Sequence, residues 1–213
     1  ISSHPMAIWK MKEQKEKEVQ RMNFKQQYLC GKCDFTYIDG CVELWHTRAE
    51  KDLDLTEYLG LTGEEHKTFL CGGRDALAAL LEPQRRKQRF VLYQLQLDEE
   101  NAIPFAFKDI TALKAAGYEQ PPAAMYYVAG SGEIYCPAEE SDDAFLKRLF
   151  ADCRERLPEG CRGRPMAISD VVELNHGTKR AYYYVSGQDQ FRQVKFSPML
   201  AKKEIPEKTQ ERF

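Results

Sequence analysis

The chain has 213 residues, of which 43% are hydrophobic, so it can bury the core of one large or two small domains. Its 31 Lys and Arg residues against 33 Asp and Glu residues give a formal net charge of −2, which argues against a nucleic-acid-binding surface over a whole domain. No apolar run approaches the ~18 residues of a membrane span, and no signal-peptide pattern is present, so we expect a cytoplasmic protein without a membrane partner.

Residues 1–27 are predicted to be a charged arm. Residues 1–5, ahead of Met6, resemble an expression remnant. Residues 10–27 are rich in Lys and Glu and show little apolar periodicity. A segment of this composition has no apolar face to bury, so we expect a solvated lead-in.

Residues 28–82 are predicted to form a small helical domain. The apolar stripe of its first helix falls at i, i+3, i+4 and i+7, namely Ile38, Cys41, Val42 and Trp45. Gly60 ends a second, short helix. Thr62 and Glu65 have the spacing of a capping box and begin a third helix. A last helical segment is predicted over 75–83.

Residues 83–89 are polar and basic and are predicted to be a linker. Residues 90–198 then alternate strands and helices in the order βαβαβββ, predicted at 89–97, 107–117, 123–130, 141–157, 167–174, 181–186 and 190–196. This order, which ends in hairpins, predicts an α+β fold with a mostly antiparallel sheet and helices on one face. Residues 199–213 are expected to be a charged tail.

Cys30 and Cys33 form a Cys-x-x-Cys pair among seven cysteines, an odd number scattered through core-like sequence. Zinc would need further donors, for which Cys41 and His46 are the nearest candidates, but Cys41 lies on the apolar stripe. We interpret the pair first as free thiols of a reducing cytoplasm, with a zinc site or a redox dithiol as alternatives. No other cofactor is expected.

Asp170 occupies an apolar row, because it shares one strand face with Val172 and Leu174. A catalytic acid would need a partner, and the sequence-local candidate is His176, which lies in a turn. Ser169 and Asp170 can instead bond the local backbone where the strand begins. We favour this structural interpretation and predict no catalytic residue.

Two features are candidates for binding a partner. One is the basic part of the linker, which can contact phosphates or an acidic protein groove unless it is simply solvated: Arg85, Arg86, Lys87 and Arg89. The other is an aromatic strand in which neighbouring side chains alternate between faces: Tyr182, Tyr183 and Tyr184. Exposed tyrosines are good anchors at protein interfaces, although tyrosine also favours strands for its own sake.

The second half of the chain, from about 88 to 198, resembles the YodL-like domain of proteins from Gram-positive mobile elements. The resemblance is carried by the segments LYQL at 92–95, LKAAGY at 113–118, ISDVVEL at 168–174 and AYYYV at 181–185. The family often continues with a run like Asp-Ser-Phe-Gly-Phe, whereas this chain has SGQDQFRQV at 186–194. The first half resembles a short helical module of the same elements through IDGCVELWHT at 38–47 and LTEYLGLTGEEH at 55–66.

The resemblance implies a biological context, the phages and conjugative or integrative elements of Firmicutes, and no particular reaction. Small accessory proteins in that context often counter host defence, including CRISPR and restriction nucleases. We therefore expect a non-enzymatic, protein-binding accessory protein, with an inhibitor of a host defence nuclease such as a CRISPR effector as one candidate. The expected partner is a host or element protein, a nuclease or its nucleoprotein complex included, and not a small-molecule substrate.

Two other classes of function stay open. The first is a nucleic-acid-binding protein that uses the basic linker and a zinc ion at Cys30 and Cys33. The second is a small enzyme of unknown reaction, with Asp170, His176 or Cys33 in its site.

Overall fold

The computed structural model describes residues 22–47, 53–97 and 100–203. The chain divides into two compact units. The first, the helical unit, comprises residues 22–86 and Tyr135–Glu139. The second, the sheet unit, comprises Lys87–Ile134 and residues 140–203. Within these described ranges, no helix is both long and apolar enough to cross a membrane.

The described part of the helical unit contains four helices with well-defined caps. They are α1 (Phe24–Leu29), α2 (Tyr37–Thr47), α3 (Leu55–Leu59) and α4 (Gly63–Leu81). The predicted capping box is confirmed, since the Thr62 hydroxyl accepts the Glu65 N–H at 3.3 Å and Glu65 Oε2 accepts the Thr62 N–H at 2.8 Å. Gly60 ends α3 in the left-handed conformation, as predicted.

Helix α4 consists of two helical segments that meet at Gly73. Residues 75–81 lie in the second segment, so the predicted separate segment over 75–83 is confirmed, although it ends at Leu81. The interruption that the sequence suggests is a kink inside α4, where Gly73 has a non-helical φ of 71°. Glu82–Gln84 then form a 3-10 turn that leads into the first strand.

The four helices surround one apolar cluster. Its fully buried members include Ile38 and Cys41, so the predicted stripe of α2 is confirmed at these two residues. The remaining buried members are Phe24, Tyr28, Leu29, Leu59, Leu61, Leu77 and Leu81. Because a buried Leu or Phe side chain contributes roughly 1.5–3 kcal/mol, this cluster supplies the main stabilisation of the unit.

Five strands form one sheet, in the spatial order β2-β1-β3-β4-β5. They are β1 (Arg85–Leu95), β2 (Tyr126–Pro137), β3 (Val171–His176), β4 (Lys179–Gly187) and β5 (Gln190–Val194). The pairs β1–β3, β3–β4 and β4–β5 are antiparallel. The predicted α+β class with a mostly antiparallel sheet is confirmed.

Two helices pack on the sheet, α5 (Ile110–Ala115) and α6 (Asp142–Cys153). Leu113 of α5 shares a buried cluster with Tyr184 of β4, whereas the adjacent Tyr183 donates a hydrogen bond to Asp142 at the start of α6. Neighbouring residues of a strand face opposite sides, so α5 and α6 lie on opposite faces. The sequence places both helices on one face, because periodicity identifies a buried stripe without saying which side of a sheet it covers.

The division between the two units falls between Arg86 and Lys87, inside the predicted linker, but residues 85–89 are the first half of β1 and not a loop. The reason is a contact inside the helical unit that local sequence cannot reveal. The Arg85 guanidinium lies 4.3 Å from the ring centroids of both Tyr28 and Tyr135, and it also donates to Glu82 at 3.1 Å. Stacking between two aromatic rings favours a cation and orders this part of the chain.

The predicted arm and tail extend too far into the fold. Helix α1 begins at Phe24, so residues 24–27 belong to the helical unit and not to the arm. At the other end, Ala201 is buried and Lys202 bridges to Tyr127, so the first residues of the predicted tail are part of the sheet unit. Residues 1–21 and 204–213, which include the predicted expression remnant, lie outside the described residues.

Replacing Gly60 by Ala should destabilise the helical unit by about 2 kcal/mol. Gly60 has a φ of +73°, and a Cβ there would lie 2.2 Å from side-chain atoms of Asn23, the residue that caps α1. The left-handed conformation costs a non-glycine residue about 1–2 kcal/mol, and a displaced cap adds about 1 kcal/mol. Gly63→Ala is the matched control, because residue 63 has open space around it. Urea unfolding of the two variants measures the difference, and equal stabilities would contradict the expectation.

The helical unit should lose stability in acid through Glu65. Burial alone would raise the pKa of Glu65, but hydrogen bonds from Lys25, Gln84 and the Thr62 backbone outweigh it and hold that pKa below the ordinary value of 4.5. A lowered folded-state pKa stabilises the fold above the ordinary value, and this contribution is lost as the pH falls through the folded-state pKa.

Thermal unfolding from about pH 6 down to about pH 3 tests this linkage. The stability gap between the wild type and Glu65→Gln should narrow as the pH falls. Glu64→Gln, which changes an exposed carboxylate of the same helical turn, should follow the wild-type profile. A gap between wild type and Glu65→Gln that stays constant with pH would refute the proposed role of Glu65.

Candidate functional site

Asp170 lies in a buried ion pair with Arg164. Asp170 is fully inaccessible, and its two carboxylate oxygens accept from the two terminal nitrogens of Arg164, with Nη1–Oδ2 at 3.0 Å. The backbone N–H of Ala167 donates to Oδ2 at 2.9 Å, which is the local backbone bond that the sequence predicts. Gln94 Nε2 adds a fourth donor at 3.3 Å. The bidentate geometry is the strong form of an arginine–carboxylate contact.

The surrounding residues hold the ion pair in place from two strands and from the segments that contain Phe107 and Ser169. Gln94 of β1 donates to the Arg164 carbonyl at 2.8 Å and accepts from the Arg164 N–H at 3.1 Å and the Tyr127 hydroxyl at 3.0 Å. The Arg164 guanidinium lies 4.9 Å from the ring centroid of Phe107. Phe107 in turn donates its N–H to Ser169 Oγ at 3.1 Å. Both Phe107 and Ser169 have positive φ, so this contact stabilises two strained backbone positions.

The electrostatics of the pair favour a structural role. Burial raises the pKa of the Asp170 carboxyl, and the Arg164 guanidinium opposes this shift. The carboxyl group is sealed from solvent and its acceptor positions are engaged, so it has no open position for a substrate. His176 does not join it, because its Nε2 pairs with Asp142 at 3.1 Å.

Cys30 lies at the end of α1 and Cys33 in the turn that follows, and neither is part of a disulfide. Burial raises the pKa of Cys33 to about 11, which keeps the thiol protonated at neutral pH and weakens it as a ligand or nucleophile. In the described ranges, no cluster of three or more His, Cys, Asp or Glu side chains is arranged to hold a metal ion.

The predicted basic surface is divided between different environments. Arg85 is stacked between aromatic rings, and Arg86 donates to the Ala138 carbonyl at 3.2 Å. Lys87 is exposed, and Arg89 is exposed on β1 and pairs with Glu133. Arg85 is therefore a packing residue. Of Arg86 and Arg89, only Arg89 has a largely exposed side chain.

The three tyrosines also differ from one another. Tyr184 is fully buried, so the prediction that it contacts a partner is wrong; its ring belongs to the core beneath α5. Tyr183 is half-buried and donates its hydroxyl to Asp142 at 2.6 Å. Tyr182 is half-buried against the Phe196 ring, with a centroid distance of 5.7 Å. Tyr182 alone keeps an accessible edge on the same sheet face as Tyr184.

Part of that sheet face, beyond the area that α5 covers, is accessible. Arg89 on β1 lies opposite Asn175 on β3, and Asn175 lies opposite Arg180 on β4. Residues directly opposite each other point to the same side, so these three side chains form a row across three strands, which we call the arginine row. A shallow groove of about 340 Å³ runs beside it, lined in part by Val91, Ser131 and Glu133.

Each arginine of the row is held by a carboxylate through its Nε atom. Glu133 pairs with Arg89, and Glu173 pairs with Arg180 at 3.4 Å. The arginine side chains nevertheless remain 71% and 58% exposed, respectively. Glu173 itself is buried and accepts the Tyr93 hydroxyl at 2.8 Å.

The helical unit carries a second accessible surface, which is apolar. Tyr37 and Leu44 occupy positions i and i+7 of α2, nearly the same side of the helix, and are 45% and 55% exposed. Leu53 is 46% exposed, and its carbonyl accepts the Trp45 indole N–H at 3.0 Å, which places it beside the end of α2. We call Tyr37, Leu44 and Leu53 the apolar ridge.

Sequence reasoning missed most of both surfaces. Tyr37 and Leu44 carry a recognisable signal, since they continue the apolar spacing of α2 beyond the buried stripe. No local sequence signal identifies Arg180 and Asn175, because only the strand order places them in one row with Arg89. The sequence pattern does not distinguish Glu173 from an ordinary polar residue between Val172 and Leu174, although Glu173 is buried.

Comparison with known proteins gives one match. Residues 89–196, about half of the chain, match the family model of the YodL-like domain. This range contains the arginine row and the buried ion pair. No curated protein and no solved structure matches the chain.

Breaking the buried pair from one side should cost about 3–5 kcal/mol of unfolding free energy. Arg164→Met leaves the Asp170 carboxylate buried without its counter-ion. An unpaired buried charge strongly destabilises the folded state. The double variant Arg164→Met/Asp170→Leu should recover much of the loss, because it removes the second charge as well. Chemical denaturation of the three proteins measures the coupling.

The matched control is Arg74→Met, which removes an arginine whose pair with Asp39 is exposed on both sides. That change should cost at most about 1 kcal/mol. An Arg164→Met variant no less stable than Arg74→Met would show that the buried pair does not hold the sheet unit together.

Proposed function

The chain belongs to the YodL-like domain family, and from this premise we propose that it is a non-enzymatic protein-binding protein, an accessory protein of a mobile element that acts on a host protein. The observation that carries the proposal is the apolar ridge: Tyr37 and Leu44 are exposed on one side of α2, and Leu53 is exposed next to the end of that helix. Host defence nucleases are the class of partner that we would test first.

The ridge has the composition of a protein-binding surface. The cores of protein interfaces are enriched in aromatic side chains and depleted in charge. Tyr37 supplies an aromatic ring with a hydroxyl, and Leu44 and Leu53 supply apolar area that gains free energy when a partner removes it from water. Gly40 lies between Tyr37 and Leu44 on α2, and a Cβ there would meet no atom within 4 Å, so a partner has room beside the helix.

The ridge is supported by rigid neighbours. Ile38 and Cys41, which lie next to the ridge around α2, are buried in the core of the helical unit. The Trp45 indole, bonded to the Leu53 carbonyl, connects the segment before α3 to α2. A surface that is ordered before binding loses less conformational entropy when the partner arrives.

Affinity capture from host lysate with a ridge variant tests the proposal. Tyr37→Ala/Leu44→Ala should reduce the recovery of the protein partner at least tenfold, because central interface residues each contribute on the order of 2 kcal/mol. Both side chains are largely exposed, so the fold should be unaffected. The recovered proteins are quantified by mass spectrometry with and without added nuclease.

A matched control removes exposed apolar groups elsewhere. Met199→Ala/Leu200→Ala changes two side chains that are 95% and 64% exposed in the sheet unit, and it should leave recovery unchanged. Partners that disappear with nuclease treatment would indicate nucleic-acid binding instead. Equal recovery by the ridge variant and the wild type would reject the ridge as the binding surface.

A further inference from the structure

We propose that the arginine row of Arg89, Asn175 and Arg180 binds the carboxylate groups of an acidic helical segment in a partner protein. This inference goes beyond the proposed function, because it concerns a different surface and specifies the chemistry of what that surface recognises. It stands on the strand register, on the way each arginine is held, and on the balance of charge across the face.

The register sets the spacing of the two arginines along the sheet. Arg89 is paired with Asn175, and Asn175 is paired with Arg180, so the two arginines are two strands apart in one straight row. Opposed residues of antiparallel strands have Cα atoms about 4.5–5.5 Å apart, which places the two arginine Cα atoms roughly 10 Å apart. The row therefore carries two arginine side chains that start from backbone positions at a defined spacing.

The ion pairs within the face orient the arginines without covering them. Glu133 and Glu173 each contact their arginine at Nε, the nitrogen nearest the aliphatic stem. The terminal nitrogens of a guanidinium form the fork that matches a carboxylate with two parallel hydrogen bonds. With side chains still 71% and 58% exposed, Arg89 and Arg180 can offer this fork to an incoming carboxylate.

The supporting groups keep the row rigid. Glu173 is buried and receives the Tyr93 hydroxyl at 2.8 Å, so the anchor of Arg180 has its own fixed partner. The Asn175 carbonyl accepts from Gln88 Nε2 at 3.0 Å, which fixes the backbone at the centre of the row. A guanidinium held in this way loses less freedom on binding than an arginine on a mobile loop.

The charge balance favours a protein over a nucleic acid. Two glutamates accompany the two arginines and Lys87, whose charge also acts on Glu133, so the face is only slightly basic, and the whole chain has a net charge of −2. Nucleic-acid binding gains its affinity from continuous neutralisation of phosphates, and carboxylates among the cations oppose it. A ligand with two separate carboxylates brings fewer anionic groups near Glu133 and Glu173 than a phosphate backbone does.

The spacing suits a helix. Residues i and i+7 of an α-helix lie on the same side and are about 10.5 Å apart along the axis, close to the spacing of the two arginines. A helix laid across the strands would therefore place two glutamates, one on each fork, and its central turn over Asn175. Carboxylates at i and i+2 of a strand would be only about 7 Å apart.

A peptide titration on the full-length chain tests the inference. The probe is a synthetic helical peptide with Glu at i and i+7, and its comparison peptide carries the two Glu residues at i and i+5, on different sides of the helix. Binding is followed by isothermal titration calorimetry at about 0.1 M salt, where the screening length is about 10 Å. The i, i+7 peptide should bind at least fivefold more tightly than the i, i+5 peptide.

The variants identify the residues responsible. Arg89→Gln/Arg180→Gln should weaken binding of the i, i+7 peptide at least tenfold. Arg89→Lys/Arg180→Lys keeps both positive charges, so Glu133 and Glu173 keep their ion-pair partners. The lysines lack the forked guanidinium, so this variant should still weaken binding at least threefold. Arg192→Gln removes an exposed arginine on β5, outside the row, and should leave binding unchanged.

Three results would overturn the inference. One is equal binding by the Gln double variant and the wild type when circular dichroism shows both folded. Another is a loss of peptide binding in Arg192→Gln as large as the loss in Arg89→Gln/Arg180→Gln, since this would indicate attraction by overall charge. The third is stronger binding of a single-stranded DNA oligonucleotide at the same row, which would identify a phosphate site. None of these bears on the apolar ridge, so the proposed function is tested separately.

Discussion

The sheet unit depends on the ion pair between Arg164 and Asp170, because two charges that leave water destabilise a fold unless each is compensated by the other and by hydrogen bonds. Removing each ion from water costs several kcal/mol, and only good geometry with additional hydrogen bonds offsets that cost. Here the bonds connect the segment before β3 to Gln94 of β1 and, through Gln94, to Tyr127 of β2. One pair thereby specifies where β3 begins beside its neighbours. A register slip of one residue would turn every β3 side chain to the other face, so the pair also specifies that Asn175 is level with Arg89.

The same chemical pair has different consequences at the surface. Arg180 meets Glu173 at the accessible face, where one partner is buried and the other is 58% exposed in water. In that setting the contact adds little stability, because the exposed guanidinium is well solvated whether or not it is paired. What it adds is orientation, since Glu173 holds the arginine at Nε and Tyr182 forms a further side-chain hydrogen bond with it. The buried pair of Arg164 and Asp170 stabilises the fold. The surface pair of Arg180 and Glu173 leaves the arginine accessible to another carboxylate.

Much of the local structure follows from the sequence. The capping box of Thr62 and Glu65 and the left-handed Gly60 are set by neighbours within a few residues, so the sequence predicts them correctly. Asp170 was recognised as unusual by its place in an apolar row, and its local bond to Ala167 was expected. The main partner of Asp170, Arg164, is not predictable from the sequence, because no periodicity connects a loop arginine to a carboxylate where a strand begins. The accessible surfaces were largely missed for a related reason: the arginine row exists only once strands β1, β3 and β4 are side by side.

The basic run from Arg85 to Arg89 shows how a strand changes the meaning of a charge cluster. As a loop, these residues would present their positive charges together to solvent. As the start of β1, their side chains alternate and enter different surroundings. Arg85 lies between two aromatic rings, Gln88 is buried and bonds the Asn175 carbonyl, and Arg89 remains exposed on the accessible sheet face. A segment that the sequence suggests to be a basic linker, solvated or in contact with phosphates or an acidic protein groove, thus contributes a packing residue, a buried amide and one oriented guanidinium. The proposed binding of a discrete carboxylate needs only that guanidinium, whereas a phosphate backbone would need the whole run of charges.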